Sequence, residues 1–430
     1  MQHDILVWVG IDWATEEHQV CGVDGQSKTL FEGKVKHTGD DIGAFIERLL
    51  EHVGGAAERI AVAIETPHGS IVEALIERGI AAFSINPKQL DRFRDRHTVG
   101  GAKSDRLDAF VLADSLRTDL RLYRRIELGD PVLVELREMV RAREAMVADG
   151  MALGSRLREQ IHRYYPQVLK LGSVYDDRWI HALLELAPTP AQAVRLSRAK
   201  VASLLRTHRV RRLTTDEVLE TLREKPLVVA PGVVEAASAH VRLLLPLLRG
   251  NREQLAECDR RIEELMNRVG RSSEVDVATR PDPADGDGSG PARQHRDADI
   301  LLSVPGLGVL TSATMLAEAS TALRDRDYQM LRTQTGVAPV SSQTGKQRRP
   351  TVSMRHACNP RLRTAVYHWA RVSTQRDAAT RAHYARLRQA GHSHGRALRG
   401  VADRLLSMLV AMLKSGTLYD PTRRTLPAAA

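Results

Sequence analysis

The amino-acid sequence predicts an α/β domain at the N-terminus, a helical middle region and a mostly helical C-terminal region. Three observations support this prediction. Strand-like and helix-like segments alternate over roughly the first 120 residues, and a heptad-like apolar pattern begins near Leu133. A stretch without large apolar side chains then separates the middle of the chain from further helical patterns. With 430 residues, the chain is long enough for two or three domains with buried cores.

The N-terminal segments follow an order that is typical of an α/β sheet. Runs of apolar and β-branched residues predict strands at 5–14, 18–25, 59–66 and 81–87, with 28–38 as a candidate third strand. Apolar residues spaced by three and four predict helices at 40–53, 69–79 and 103–118. We expect the functional residues of such a sheet at the ends of its strands.

The middle of the chain has the apolar pattern of a coiled coil. An approximate heptad is formed by Leu133, Leu136, Val140, Val147, Leu157 and Ile161. This spacing predicts a long helix or an antiparallel coiled coil, which could also supply a dimer contact. The segment 272–299 is rich in Asp, Pro and Gly and predicts a disordered linker. The predicted domains are 1–125, 126–270, the linker 271–299, and 300–420.

The composition favours a nucleic-acid partner. The formal net charge is +10, with 63 Lys and Arg against 53 Asp and Glu, and this excess suits a polyanion. No apolar run approaches the length of a membrane span, and the start of the chain lacks the layout of a signal peptide. Because Cys21, Cys258 and Cys358 lie far apart, we expect neither a disulfide framework nor a zinc site. A cytoplasmic protein without a membrane partner is the expectation.

Four carboxylates stand where an α/β sheet could bring them together. Asp12 ends the first predicted strand, Glu65 ends a later one, and Asp105 and Asp108 share one face of a predicted helix. Such a group is repulsive unless divalent cations neutralise it, and hard oxygen ligands suit Mg²⁺ or Mn²⁺. Two such ions could clamp the attacking and leaving oxygens of a phosphodiester. The alternative is that each carboxylate caps a helix or lies on a solvated face.

Three blocks of sequence carry a family resemblance. Three segments, “VGIDWATEEHQVCGVD”, “AIETPHG” and “VGGAKSDRLDAFVLADSLR”, resemble in this order the DEDD insertion-sequence transposases. These transposases are related to the pilin-gene invertase and are described as bridge-RNA-guided recombinases. The resemblance covers roughly 1–120 and 300–420. It implies a ribonuclease-H-like or RuvC-like N-terminal fold. It also implies a catalytic, metal-binding tetrad of Asp12, Glu65, Asp105 and Asp108.

The C-terminal region has two features suited to nucleic acid. Leu301–Glu318 contains the Gly-apolar-Gly turn of a helix-hairpin-helix-like element, which could hold a phosphate or simply join two packed helices. Between Lys346 and Arg404, basic residues outnumber acids so strongly that a nucleic-acid surface is favoured over a solvated helix. The predicted contacts are Lys346, Arg348, Arg349, Arg355, Arg361 and Arg363. The rings of Tyr367, His368 and Trp369 could stack on bases or pack in a core.

The resemblance also implies a nucleophile. Family members have a serine after a Gly-apolar-x-Pro block, and that serine is proposed to form a covalent link to DNA. Here the block is Gly336–Pro339, and Thr344 stands in the serine position. A threonine hydroxyl can be activated by a base, although its methyl group crowds the attack. Ser342 is the alternative nucleophile if the register shifts by two residues.

The sequence therefore predicts a DNA transposase or recombinase of a bacterial insertion sequence. It would cut and rejoin DNA by metal-assisted attack of a hydroxyl side chain on the scissile phosphate. The resemblance adds a guide (bridge) RNA, a homodimer or homotetramer, and a nucleoid-associated place in the bacterial cytoplasm. Two rivals remain open. One is a RuvC-like metal-dependent nuclease or Holliday-junction resolvase in which water attacks, and the other is a catalytically impaired nucleic-acid-binding protein.

Overall fold

The computed structural model describes residues 4–66, 69–85, 87–97, 104–127, 130–269, 296–342 and 351–421. The chain divides into two compact units, Met1–Asp130 and Pro131–Ala430. The predicted linker falls almost wholly outside the described residues. Its last three residues, 297–299, instead begin a helix.

Unit 1 is built on a mixed six-stranded sheet with the order β3-β2-β1-β4-β5-β6. Its strands are β1 (Val7–Asp12), β2 (Glu17–Val23), β3 (Thr29–Lys36), β4 (Ile60–Ile64), β5 (Ala81–Ser84) and β6 (Arg124–Arg125). The three central strands β1, β4 and β5 are parallel, and β2, β3 and β6 join antiparallel. All five predicted strands are present, including the candidate third strand.

Four helices cover the two faces of this sheet. They are α1 (Gly39–Glu51), α2 (Ser70–Glu77), α3 (Pro87–His97) and α4 (Asp105–Asp119). Helices α1 and α2 pack on the face to which Val9 and Val62 point, whereas α3 and α4 pack on the face of Trp8 and Ala63. Successive strand residues thus serve two different cores, which explains the continuous apolar runs. The sequence did not predict α3, because most of its residues are charged or polar.

Unit 2 contains two long helices and many shorter ones. The first group comprises α5 (Pro131–Tyr164), α6 (Gln167–Leu171), α7 (Arg178–Leu186), α8 (Pro190–Ala193), α9 (Arg198–Thr207), α10 (Thr215–Leu222) and α11 (Val233–Arg268). The second group comprises α12 (Asp297–Ser303), α13 (Val309–Glu318), α14 (Ser320–Arg324), α15 (Tyr328–Gln334), α16 (Pro360–Arg376), α17 (Ala378–Gln389) and α18 (His394–Ser415). Two short antiparallel strands, β7 (Val340–Ser342) and β8 (Thr351–Ser353), precede α16.

The two long helices of unit 2, α5 and α11, pack against each other in antiparallel orientation. Glu135 accepts hydrogen bonds from Arg261, and further along α5 the Met146 carbonyl accepts one from Asn251 at 3.0 Å. The heptad residues Leu136 and Leu157 are fully buried inside unit 2. The heptad spacing therefore correctly predicted a long helix, but the apolar stripe of this helix packs against other helices of unit 2. These buried positions cannot supply the dimer contact that we expected of them.

A glycine turn joins α12 to α13 and packs closely against α16. Gly306 has a φ of +87°, and a Cβ there would meet Ser373 Oγ at 2.5 Å. The preceding carbonyl of Pro305 accepts hydrogen bonds from Trp369 Nε1 (3.2 Å) and Ser373 Oγ (2.7 Å). A glycine is therefore required for both backbone conformation and space. In the described part of the chain, no helix is both long and apolar enough to cross a membrane.

Candidate active site and nucleic-acid surface

Two of the four predicted carboxylates lie at the ends of neighbouring strands. Parallel strands β1 and β4 pair as far as Ile11 and Ile64; Asp12 is the last residue of β1, and Glu65 follows directly after β4. Neighbouring strands lie about 4.8 Å apart. Because side chains alternate between faces, Asp12 continues the series of Trp8 and Gly10, and Glu65 that of Ala61 and Ala63. Both carboxylates therefore belong to the edge and face of the sheet on which α4 packs.

Helix α4 lies directly on strand β1 at Gly10. A Cβ at Gly10 would meet Ala109 O at 1.9 Å and Ala113 N at 2.6 Å, so only glycine allows this approach. The C-terminal half of α4 is bound to the turn between β2 and β3, where Ser27 Oγ donates to Asp114 at 2.6 Å. That turn lies at the opposite end of β1 from Asp12. The N-terminal turn of α4 is therefore directed towards the edge that carries Asp12.

The two aspartates of α4 differ sharply in their surroundings. Asp105 is exposed, and its charge adds slightly to the raised pKa of Lys34, which is due mainly to the ion pair of Lys34 with Glu17. Asp108 is only 2% exposed and accepts a hydrogen bond from Arg94 Nε on α3 at 2.5 Å. A shared helix face predicted from i,i+3 spacing thus contains one solvated and one ion-paired carboxylate.

These residues have the donor chemistry of a magnesium site, but their side chains are not grouped around a common point. Within the described ranges, no three His, Cys, Asp or Glu side chains are arranged to hold a metal ion. Asp12 and Glu65 are adjacent in the sheet, whereas Asp108 is engaged by Arg94. Asp12 and Glu65 therefore lie at one end of the sheet, the first turn of α4 is directed to the same end, and Asp108 is held in an ion pair.

The predicted nucleophile segment is described only at its flanks. Strand β7 pairs with β8 so that the backbone of Ser342 lies opposite Thr351. Thr344, Lys346, Arg348 and Arg349 lie outside the described residues. The described part of this region is a two-stranded hairpin stem that brings residues 342 and 351 together.

Comparison with known proteins decides the family. A DEDD transposase model matches residues 9–166, and a model of the IS116/IS110/IS902 transposase family matches residues 298–385. The chain is 32% identical to the “Mini-circle putative transposase for IS117” of Streptomyces coelicolor, over 99% of this chain and 98% of that protein. The chain belongs to the IS110 family of DEDD insertion-sequence transposases.

Two further relatives agree with this assignment. The transposase is 44% identical to “Putative transposase y4uE” of Sinorhizobium fredii, over 48% of this chain and 57% of that protein. It is 24% identical to an uncharacterized 43.6 kDa protein of insertion element IS110 from Streptomyces coelicolor, over 97% of this chain and 96% of the relative. The resemblance deduced from the three sequence blocks is confirmed, and the mixed sheet of unit 1 agrees with the ribonuclease-H-like fold of DEDD domains.

The arginine-rich end of the transposase has few acids to neutralise it, and both acids between 346 and 404 serve structural contacts. Asp377 caps α17 by accepting from Thr380 N at 2.8 Å, and Asp403 accepts from Arg332 Nε at 2.7 Å. Of the predicted DNA contacts, Arg361 donates to Glu144 at 2.5 Å, so part of its charge is already compensated. Arg363 is half-buried. The predicted contacts among the described residues are therefore not equivalent.

The three consecutive aromatic residues of α16 separate into different roles. Trp369 is fully buried in the core and donates its indole N–H to Pro305, so it is unavailable to bases. Tyr367 is 42% exposed, and the exposed ring of His368 meets it edge-on with centroids 5.6 Å apart. Only the helix register shows which ring faces solvent, and sequence reasoning could not separate them. It also missed Arg94, whose helix gave no clear apolar pattern.

Proposed function

We propose that this transposase cuts and rejoins DNA by metal-assisted attack of a hydroxyl side chain on the scissile phosphate. The observation that carries the proposal is the position of Asp12 and Glu65 at the ends of adjacent parallel strands, with the first turn of α4 directed to the same edge. Membership of a DEDD transposase family supports the same assignment of Asp105 and Asp108. We further propose that Mg²⁺, or Mn²⁺, is the ion that these four residues hold.

The proposed nucleophile is the hydroxyl of Thr344, with Ser342 as the alternative. Its oxygen forms an ester bond to the scissile phosphorus, the bond from phosphorus to one deoxyribose oxygen breaks, and the leaving oxygen takes up a proton. Rejoining is the reverse attack, by the hydroxyl of a new DNA end on this ester. The chemistry supplied by bound Mg²⁺ is neutralisation of the charge that develops on the phosphate oxygens. The carboxylates would hold the Mg²⁺ ion at the ends of the strands, and the arginines of unit 2 would bind the flanking phosphates.

The remaining parts of the proposal rest on the family resemblance and on the sequence. We propose a guide RNA, a homodimer or homotetramer, the domain boundaries predicted from the sequence, and a cytoplasmic, nucleoid-associated location. The basic surface supports binding of a polyanion, and it suits DNA and RNA equally.

A covalent adduct tests the mechanism. The transposase is incubated with Mg²⁺ and radiolabelled element-end DNA, together with the RNA transcribed from the element, and the mixture is denatured and run on a gel. We expect labelled DNA to remain attached to the wild-type protein and to be absent from Asp12→Ala and Thr344→Ala. Thr344→Ser serves as the matched control, because it keeps the hydroxyl and should retain the adduct.

Each rival has its own outcome. Mg²⁺-dependent cleavage that survives replacement of Ser341, Ser342 and Thr344 by alanine would establish water as the nucleophile and support the nuclease or junction resolvase. DNA binding without cleavage, equal in wild type and Asp12→Ala, would support a nucleic-acid-binding protein without catalysis. Both outcomes contradict the proposed mechanism.

A further inference from the structure

A cavity of about 320 Å³ lies in unit 2 between α16, α18 and the hairpin stem. Its floor is largely apolar and includes Val337, Met354 and Leu398, while Tyr367 and two arginines, Arg363 and Arg399, also line it. The volume falls at the lower end of the range for small-ligand sites. The cavity is bounded by residues on both sides of the hairpin, because Val337 precedes β7 and Met354 follows β8.

The charges in this cavity have one sign. Arg363 and Arg399 are both half-buried, and neither has a carboxylate partner among the described residues. Arg399 instead directs Nη1 at the Met354 sulfur, a weak acceptor, at 3.5 Å. A guanidinium that is partly removed from water normally has an anionic partner, so this pair of arginines suits an anion from outside the chain.

The aromatic ring beside these arginines adds a second requirement. Tyr367 is 42% exposed although it lines a largely apolar cavity, so its ring is available to a ligand. An occupant must therefore combine a flat or apolar group with a phosphate-like charge. A nucleotide has both, since every base offers a π-face that can stack on an aromatic side chain.

We infer that this cavity receives one unstacked nucleobase of a nucleic-acid strand whose adjoining phosphates contact Arg363 and Arg399. The inference rests on the proposed function in one respect, because it assumes that the strand bound beside the hairpin is the one to be cut. Unstacking a base would distort the strand next to the hydroxyl segment, as in enzymes that extrude a nucleotide before reacting with it. A second copy of the chain or a small anion suits the site less well, because neither requires both the ring and the two arginines.

The test measures binding to a DNA duplex with one bulged nucleotide. The full-length transposase is titrated, in EDTA, into fluorescein-labelled duplexes whose bulge carries either adenine or an abasic site, and the anisotropy gives the Kd of each. We expect wild type to prefer the adenine bulge about tenfold, the size of one base–aromatic stacking contact. Tyr367→Ala should bring the ratio close to one, and Tyr367→Phe should keep it.

Two control variants on the same helix make the result specific. His368→Ala removes an exposed ring that does not line the cavity and should leave the ratio unchanged. Arg363→Gln should weaken binding of both duplexes at least severalfold more than Arg371→Gln, which removes an exposed arginine outside the cavity. Thermal unfolding of each variant verifies that it is folded.

The outcomes separate this inference from the proposed mechanism. A wild-type ratio near one, or a preference that Tyr367→Ala leaves intact, overturns the nucleobase site even if the covalent adduct forms normally. A tenfold preference lost only in Tyr367→Ala supports the site even if no adduct forms, since EDTA removes any metal-dependent step from the assay.

Discussion

Replacing Gly10 with alanine should force helix α4 away from the sheet and disturb the carboxylate edge. The added Cβ would lie 1.9 Å from Ala109 O and 2.6 Å from Ala113 N, both backbone atoms that cannot rotate away. An ordinary contact begins near 3.4 Å, so the helix must retreat by about 1.5 Å. Because Asp108 lies on that helix one residue before Ala109, the same movement displaces it relative to Asp12.

The expected cost is at the upper end of the range for overpacking, on the order of 3 kcal/mol. Hydrogen exchange followed by mass spectrometry measures it locally, because peptides from β1 and α4 report the opening of unit 1 alone. Since each 1.4 kcal/mol is a factor of ten, these peptides should exchange about a hundredfold faster in Gly10→Ala than in wild type. Peptides from α16 and α18 in unit 2 should be unchanged.

The matched control is Gly33→Ala in strand β3 of the same sheet, where no described atom lies within 4 Å of the new Cβ position. This variant should be neutral or more stable by less than about 1 kcal/mol, because alanine restricts the unfolded chain. If Gly10→Ala exchanges as slowly as Gly33→Ala, the close approach of α4 to β1 is refuted, together with the placement of Asp108 that depends on it.

Two further predictions concern buried charge in unit 1. Arg94→Leu should lower the free energy of unfolding by about 3 kcal/mol, because it leaves the buried Asp108 carboxylate unpaired. Arg94→Lys should recover part of this loss. Equal urea midpoints for wild type and Arg94→Leu would contradict the prediction. Burial, followed by the nearby His37, lowers the pKa of fully buried His18 below its ordinary value of 6.5. Unfolding then binds a proton, so stability should fall as pH drops through 6.5, and His18→Gln should lose less stability than wild type between pH 7.5 and 5.5 in urea titrations.

Much of unit 1 follows from local patterns in the sequence. The central strands β1 and β4 have continuous apolar runs because both faces of the sheet are covered there, and α1 and α4 have caps and apolar spacing that require no distant contact. Asp12 and Glu65 could be proposed as partners because both end strands, and the ends of adjacent parallel strands share one edge. The length of α5 was likewise readable from its heptad.

Other features depended on contacts between segments far apart in the chain. Helix α3 was missed because it has few apolar residues, and the role of Leu90 and Phe93 is visible only when they pack against the sheet. The heptad stripe of α5 packs against α11, which begins only at Val233, and against shorter helices of unit 2. No local pattern could tell these partners from a second chain.

Most of the order of strands and helices, the residue types available for catalysis and the excess of arginine follow from the sequence, because these are local or compositional properties. The packing of the folded chain was needed to show that Asp105 is solvated and Asp108 is paired, and that the ring of Tyr367 is exposed whereas that of Trp369 is buried. The physical reason is that helical spacing defines a face, whereas burial depends on what packs against that face.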